Sequence, residues 1–259
     1  MMIIKLEDDC VGILPDHPFS KRFTVYGYED GTFSFIPHNF FVTWMGEEPQ
    51  LGSFHLGRCS GIGVGSTAKY DAYAKLTVGR YVSGGSHLRF ILNSRHEIRS
   101  ISTSCLLSWT NGSINHPVAP QLKNDTVIGN DVWIGDESLI LGGSIIESGC
   151  VIGSRSVVPA NFRSEPYGIY AGAPARLLRF RFPEAIREKL LELAWWYMPQ
   201  SWIKANNDAF MVDLTADEGR ALEILAELVR RKRHCSGQRS PDVKDHIEPA
   251  ELCSPTLLG

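Results

Sequence analysis

The sequence predicts a mostly β chain: a left-handed parallel β-helix, or hexapeptide-repeat solenoid, with a strand-rich N-terminal cap and C-terminal α-helices. Two observations carry the prediction. Read in sixes from Ile128, the first slot holds Ile128, Ile134, Ile140, Ile146, Ile152 and Val158, all aliphatic. The fifth slot of the same hexads holds Val132, Ser138, Ser144, Cys150, Ser156 and Phe162, small in all but the last. A helix repeats near 3.6 residues and a strand at two, so neither produces this beat. A bend every six residues winds a triangular solenoid, and such repeats are the signature of a parallel β-helix. Three hexads make one coil, the aliphatic residue points inward, and the small residue fits the tight corner. Coils stack at the strand spacing of ~4.8 Å, so the aliphatic residues form interior ladders.

Composition bounds the rest. A chain of 259 residues is one domain with appendages. Hydrophobic residues make up 43% and charged residues 21%, the balance of an ordinary globular protein. A formal net charge of -3 gives no reason to expect nucleic acid or a membrane surface as partner. The six cysteines contain no C-x-x-C pair, and Cys150 in a small slot suits a reduced, buried thiol. The N-terminal MMIIKLEDDC meets acidic residues too early for a signal-peptide core, and no apolar run is long enough to span a bilayer. A cytoplasmic protein is expected.

In chain order, residues 1–50 are expected to form the strand-rich extension. Within it, KRFTVYGYEDGTFSFIP (21–37) reads as a hairpin turning at Asp30-Gly31. The β-helix domain is expected over 51–180. Its beat is weak at Leu56, Ile62 and Ala68, slips by four residues across Tyr70 to Lys75, and resumes at Val78. Gly84 in an inward slot is a defect that a neighbouring side chain must fill. Residues 93–126 leave the repeat altogether, and long insertions at solenoid corners commonly cluster on the binding face. C-terminal helices are expected over 181–235. Pro183 to Tyr197 forms one amphipathic helix, and a second runs from a Thr215–Glu218 capping box to about Arg233. Its basic end, Arg230 to Arg233, complements the helix dipole. Residues 236–259, polar and proline-containing, read as a disordered tail.

Three stretches then resemble a known family. VGRYVSGGSHLRFILNSRH (78–96), NDVWIG (130–135) and LLELAWWYMPQSWI (190–203) are similar to the hexapeptide-repeat acyltransferases. Within that superfamily the match is to the xenobiotic acetyltransferase branch, which includes the streptogramin (virginiamycin) and type B chloramphenicol acetyltransferases. The resemblance covers about residues 78 to 205. It implies a homotrimer with active sites between adjacent solenoids, acetyl-CoA as acyl donor, no metal, and transfer to a hydroxyl of a small acceptor. It implies His96 as the catalytic base. The chemistry requires such a group, because an alcohol must lose its proton as its oxygen attacks the thioester. The rival is His116, whose Asn115-His116-Pro117-Val118 resembles a segment of the galactoside and maltose acetyltransferases. His17, His38, His55, His87, His234 and His246 read as surface or packing residues.

Matching to the sugar acetyltransferases implies Asp136, Ser154, Pro159, Ala160, Arg176 and Arg179 as CoA-binding residues. Physically the arginines fit best, since guanidinium pairs bidentately with phosphate. Trp133, outside the inward slots, faces either ligand or a neighbouring subunit. The acceptor is expected to be an antibiotic, a natural-product intermediate or a sugar, in a pocket that the aromatic N-terminal extension narrows. The alternatives are N-acetylation of an amino sugar, a non-catalytic scaffold, and a zinc enzyme of the γ-carbonic anhydrase type using His55, His87 and His96.

Overall fold

The computed structural model describes residues 3–42, 52–69, 74–92, 101–102 and 125–236. Its strands fall on three faces. The first holds β1 (Ile3–Lys5), β6 (Ser53–Leu56), β9 (Lys75–Val78), β12 (Thr126–Ile128) and β15 (Ile145–Ile146), in that order. The second runs from β2 (Cys10–Ile13), β3 (Phe23–Tyr28) and β4 (Phe33–Pro37) through β7 (Gly61–Ile62), β10 (Ser83–Gly84), β13 (Trp133–Ile134) and β16 (Val151–Ile152). It ends at β18 (Gly168–Ala171) and β19 (Arg176–Phe180). The third holds β5 (Phe41–Val42), β8 (Thr67–Lys69), β11 (Arg89–Ile91), β14 (Leu139–Leu141) and β17 (Val157–Val158). Pairing from coil to coil is parallel. Antiparallel pairs occur at the two ends of the second face, in β2–β3–β4 and β18–β19. The chain is a parallel β-helix of triangular section.

The hexads explain the interior. Ile128 pairs with Ile146 on the first face, Ile134 with Ile152 on the second, and Ile140 with Val158 on the third. All six are fully buried, each such side chain contributing about 1.5–3 kcal/mol. The small fifth residues do more than fit. The Ser138 hydroxyl donates to the carbonyls of Gly135 and Gly153, and that of Ser144 to Leu141 and Pro159, stitching one coil's corner to the next. The defect at Gly84 is filled by Ile62 and Leu88, whose methyls would crowd any added Cβ. Both ends are closed by aromatic rings. Phe40, Phe54 and Phe90 pack together at one end, and Phe162 against Tyr170 at the other, which accounts for a bulky residue in the last fifth slot.

The chain turns at three edges, each marked by a column of left-handed residues. Between the first and second faces the column is Cys59, Tyr81, Asp131, Gly149 and Tyr167; between the second and third it is Gly65, His87, Glu137 and Arg155. Between the third and first it is Gly143 and Asn161. The helical segment covers the first of these edges. It comprises α1 (Glu184–Leu193), a 3-10 turn (Trp195–Tyr197), α2 (Gln200–Ala205), α3 (Asn207–Phe210) and α4 (Glu218–Ser236). Tyr81 packs on Trp195 at 4.6 Å and accepts a hydrogen bond from Gln200, while Arg181 pairs with Asp131 at 3.3 Å.

Two helix boundaries differ from the sequence expectation. α1 stops at Leu193 because Ala194 adopts φ 40°, and Trp195 to Tyr197 form a separate 3-10 turn. The capping box of Thr215 and Glu218 is not made: Thr215 donates to Asp213 at 2.6 Å, and Asp217 accepts from the Arg220 amide instead. A nearer carboxylate outcompetes the hydroxyl for the helix start. The basic end of α4 is tied down, with Arg231 on Glu227 and Arg233 on Glu192.

The N-terminal strands are clamped to the first edge by charge. Arg58 pairs with Asp9, with Asp30 at 2.5 Å and with Glu7 at 3.5 Å, and Glu7 also holds Arg80 at 2.7 Å. Burial raises the Asp30 carboxyl, but hydrogen bonds from Thr32 and the Arg58 charge outweigh it and hold the group below its ordinary 3.8. The folded state therefore binds this proton less tightly than the unfolded chain. Its contribution is complete above pH 3.8 and is lost as pH falls through the lower folded value. Asp30→Asn should flatten the loss of thermal stability in that acid window, measured as Tm against pH.

Candidate active site

Breaks in the six-residue beat leave from one edge, that between the third and first faces. The chain leaves Val42 and re-enters at Ser53, leaves Lys69 and re-enters at Lys75, and leaves Leu92 and re-enters at Thr126. The slip across Tyr70 to Lys75 thus falls between the third and first faces, and β9 returns in register, with Ser53 opposite Lys75. The next two coils cross the same edge tightly, at Gly142-Gly143 and at Pro159 to Phe162. His96 and His116 lie outside the described residues. The segment that carries them is rooted at Leu92 and Asp125, where Asp125 pairs with Lys75 at 3.5 Å.

The six expected CoA residues divide into three pairs. Pro159 and Ala160 sit on the third-to-first edge, two strand spacings (~10 Å) beyond the root at Leu92. The Pro159 carbonyl is held by the Ser144 hydroxyl at 3.1 Å. Asp136 and Ser154 sit on the opposite side of the third face, stacked at the second-to-third edge. Asp136 accepts from the Ser86 amide at 2.8 Å, and its carbonyl accepts from the Arg155 amide at 2.9 Å. Its carboxylate rests where a Cβ on Gly85 would be, so Asp136 braces the corner whatever else it does. Beside it Arg155 hydrogen-bonds Glu137 at 2.9 Å and holds that carboxyl below its ordinary range.

Arg176 and Arg179 lie on β19, an edge strand exposed along most of its length. Three residues apart, they would fall on opposite faces of a regular strand. The register shift opposite Ile169 and Tyr170 corrects this: Ala171 faces Arg176, Tyr170 faces Leu177, and Ile169 faces Arg179. With Tyr170 buried inward, both arginines share the outward side. Arg176 donates to the carbonyl of Ala175 and Arg179 to that of Phe180, and among the described residues neither has a carboxylate partner.

The outward side of the second face carries a row that sequence matching did not assemble. Opposite one another, from coil to coil, stand Phe35, Gly61, Ser83, Trp133, Val151, Ile169 and Arg179. Trp133 is 57% exposed. A signal for this row exists in the sequence: the residue before each inward aliphatic must point outward, and reading that slot finds Gly61, Ser83 and Trp133. Phe35 has no such signal, because it belongs to the hairpin. Among the described residues no three His, Cys, Asp or Glu side chains converge as metal ligands. His55 lies on the first face and His87 at the second-to-third edge.

The repeat and the triangular coil define a hexapeptide-repeat transferase: residues 125–160 match the family model for bacterial transferase hexapeptide (six repeats). A chloramphenicol acetyltransferase of Agrobacterium fabrum is 34% identical over 168 residues, 59% of this chain and 76% of that protein. A probable macrolide acetyltransferase of Lysinibacillus sphaericus is 38% identical over 131 residues, 47% of this chain and 69% of that one. A solved galactoside acetyltransferase in complex with coenzyme A aligns with a TM-score of 0.37 at 22% identity, over 56% of this chain and 69% of that one. On the first two relatives, the chain belongs to the hexapeptide-repeat acetyltransferases, in the xenobiotic branch with the chloramphenicol acetyltransferases.

Proposed function

We propose that the chain moves acetyl from acetyl-CoA to a hydroxyl of a small acceptor, as a homotrimer of left-handed prisms with His96 as general base. His96 takes the hydroxyl proton as the oxygen attacks the thioester carbonyl. The tetrahedral adduct expels the CoA thiolate, which takes that proton back, and no covalent acyl-enzyme intervenes. The observation that carries the reading is the placement of Arg176 and Arg179: outward, adjacent and without a carboxylate, at the end of the apolar row through Trp133. Most other arginines on the prism edges are spent on acids, as Arg58, Arg155 and Arg181 are. Two guanidinium groups without a carboxylate partner, beyond an apolar track, suit a cofactor with phosphates at one end and a thioester at the other.

The division of the remaining residues supports the proposed trimer. Asp136 and Ser154 lie on one edge of the prism, Pro159 and Ala160 on another, with the third face between them. One CoA reaches both pairs if the edge of one copy lies against the other edge of its neighbour. Leu139 and Val157 on the outer side of the third face, only partly exposed, suit such an apposition. The division of the chain into 1–50, 51–180 with its insertion at 93–126, 181–235 and 236–259 is proposed with it.

Arg176→Ala with Arg179→Ala should raise the acetyl-CoA Kd by about 10- to 100-fold, at roughly 1.5–3 kcal/mol per charged hydrogen bond discounted for exposure. The wild-type affinity should weaken with salt and the variant's should not. Titration calorimetry at two ionic strengths checks both. An unchanged Kd would remove the arginines from the site. Light scattering of the same samples should return three times the monomer mass.

A further inference from the structure

We infer that the helical segment holds a second ligand site, a cleft between α2 and α4 that binds a small phosphate monoester through Arg230, Arg231 and His234. It uses none of the residues proposed for acetyl transfer and stands apart from that reading. The pattern of α4 makes one wall. Its apolar stripe, Ala221, Leu225, Leu228 and Val229, is buried in the helical core. Glu227, Arg230, Arg231 and His234, three and four residues apart, form a polar stripe beside it. The facing wall is Trp202 of α2, with Asn206 just past the end of that helix. These side chains line a cleft of about 400 Å³, more than a bare phosphate needs and within the usual size of a small-molecule site.

The cleft is braced from inside. Asn206, 7% exposed, donates to the Trp202 carbonyl and accepts from Arg231, both at 2.8 Å. A buried amide thus fixes the direction of a surface guanidinium before any ligand arrives. Glu227 takes Arg230 on one oxygen at 2.5 Å and Arg231 on the other at 2.9 Å, so two guanidinium groups share one carboxylate. One positive charge is in excess, and each fork keeps N–H groups beyond those it spends there. The His234 Nδ1 lies 2.8 Å from the Arg230 carbonyl, which can only accept. That nitrogen therefore carries the proton, and Nε2 is left for a ligand, to which it donates once the ring is protonated. Trp202 is buried, and its indole N–H has no acceptor among the described residues. The donors select the ligand. Guanidinium forks pair bidentately with oxyanions. A carboxylate offers two coplanar oxygens, whereas a phosphate monoester offers three, one for each of Arg230, Arg231 and His234. The remaining volume takes the organic body of the ester.

Titration calorimetry on the full chain with glucose 6-phosphate and ribose 5-phosphate, against inorganic phosphate, succinate and glucose, tests this. At least one sugar phosphate should bind saturably, about tenfold more tightly than inorganic phosphate or succinate, and glucose should not bind. Arg230→Ala with Arg231→Ala should weaken that binding by about 10- to 100-fold. Because Arg231 also serves the buried Asn206, Arg230→Ala alone, at an exposed position, guards against loss of the fold and should still cost several-fold. Glu227→Gln removes the competing carboxylate and should tighten binding several-fold, a gain that a purely structural stripe would not give. Arg176→Ala with Arg179→Ala should change nothing. The inference is overturned if neither sugar phosphate binds saturably, if inorganic phosphate or succinate binds as tightly, or if the Arg230 and Glu227 changes leave the Kd where it was. It is also overturned if the Arg176 and Arg179 changes abolish binding, which would assign the sugar phosphates to the site proposed for CoA.

Discussion

Replacing His96 with alanine should lower kcat by about a hundred- to ten-thousand-fold and leave acetyl-CoA affinity and assembly size as they were. The reasoning begins with the substrate. A neutral hydroxyl is a poor nucleophile near pH 7, and a positioned imidazole that takes its proton in the transition state is worth that much. The affinity should hold because the proposed donor contacts lie elsewhere, on β19 and on the two tight edges, none of them within the excursion that begins after Leu92. The assembly should hold because the coils are built from Thr126 onward without this excursion. Stopped assays of CoA release, with calorimetry on the same preparation, separate the two effects. If His96→Ala retains wild-type turnover and His116→Ala does not, the base is His116. Both variants at wild-type rate would leave base catalysis by either histidine without support.

Ser144→Trp should yield no folded protein, whereas Ser144→Ala should fold with a loss of about 1–3 kcal/mol. Ser144 is fully buried at a corner, its hydroxyl donating to the carbonyls of Leu141 and Pro159. Alanine leaves those carbonyls one donor short. An indole must instead force apart two coils whose separation is set by backbone hydrogen bonds, such as the Val127 amide on the Ser144 carbonyl at 2.9 Å. Relaxation at one corner cannot absorb this, because every coil above and below is in register with it. Circular dichroism and gel filtration decide the tryptophan variant, and denaturant titration the alanine. A soluble, cooperatively folding Ser144→Trp protein would show that the corner is looser than its packing implies.

The hairpin over residues 21–37 was legible because its turn and alternation are local, and β3 and β4 pair as that pattern requires. The interior of the β-helix was legible because its period is covalent: residues six apart must share a setting if the chain bends every six. The site was legible only in part. Matching motifs selected Arg176 and Arg179, yet a regular strand would have set them on opposite sides, and only the register shift beside Ile169 unites them. Matching also grouped Asp136 with Pro159, which the coil separates by the width of a face.

What the linear order of residues determined is the repeat, the inward ladders and the membership of an acetyltransferase family. The first two depend on spacing along one chain, and the third on the local motifs that resemble the family. What only the folded chain decided is which edge each residue occupies. That depends on how many residues every earlier corner consumes, and a four-residue excursion after Lys69 changes the count without changing the beat. Contacts between distant segments follow from the same cause. Phe35 covers Gly61 because the hairpin adds its strand to the second face, a juxtaposition fixed by backbone pairing across 25 residues of intervening sequence and by no local pattern.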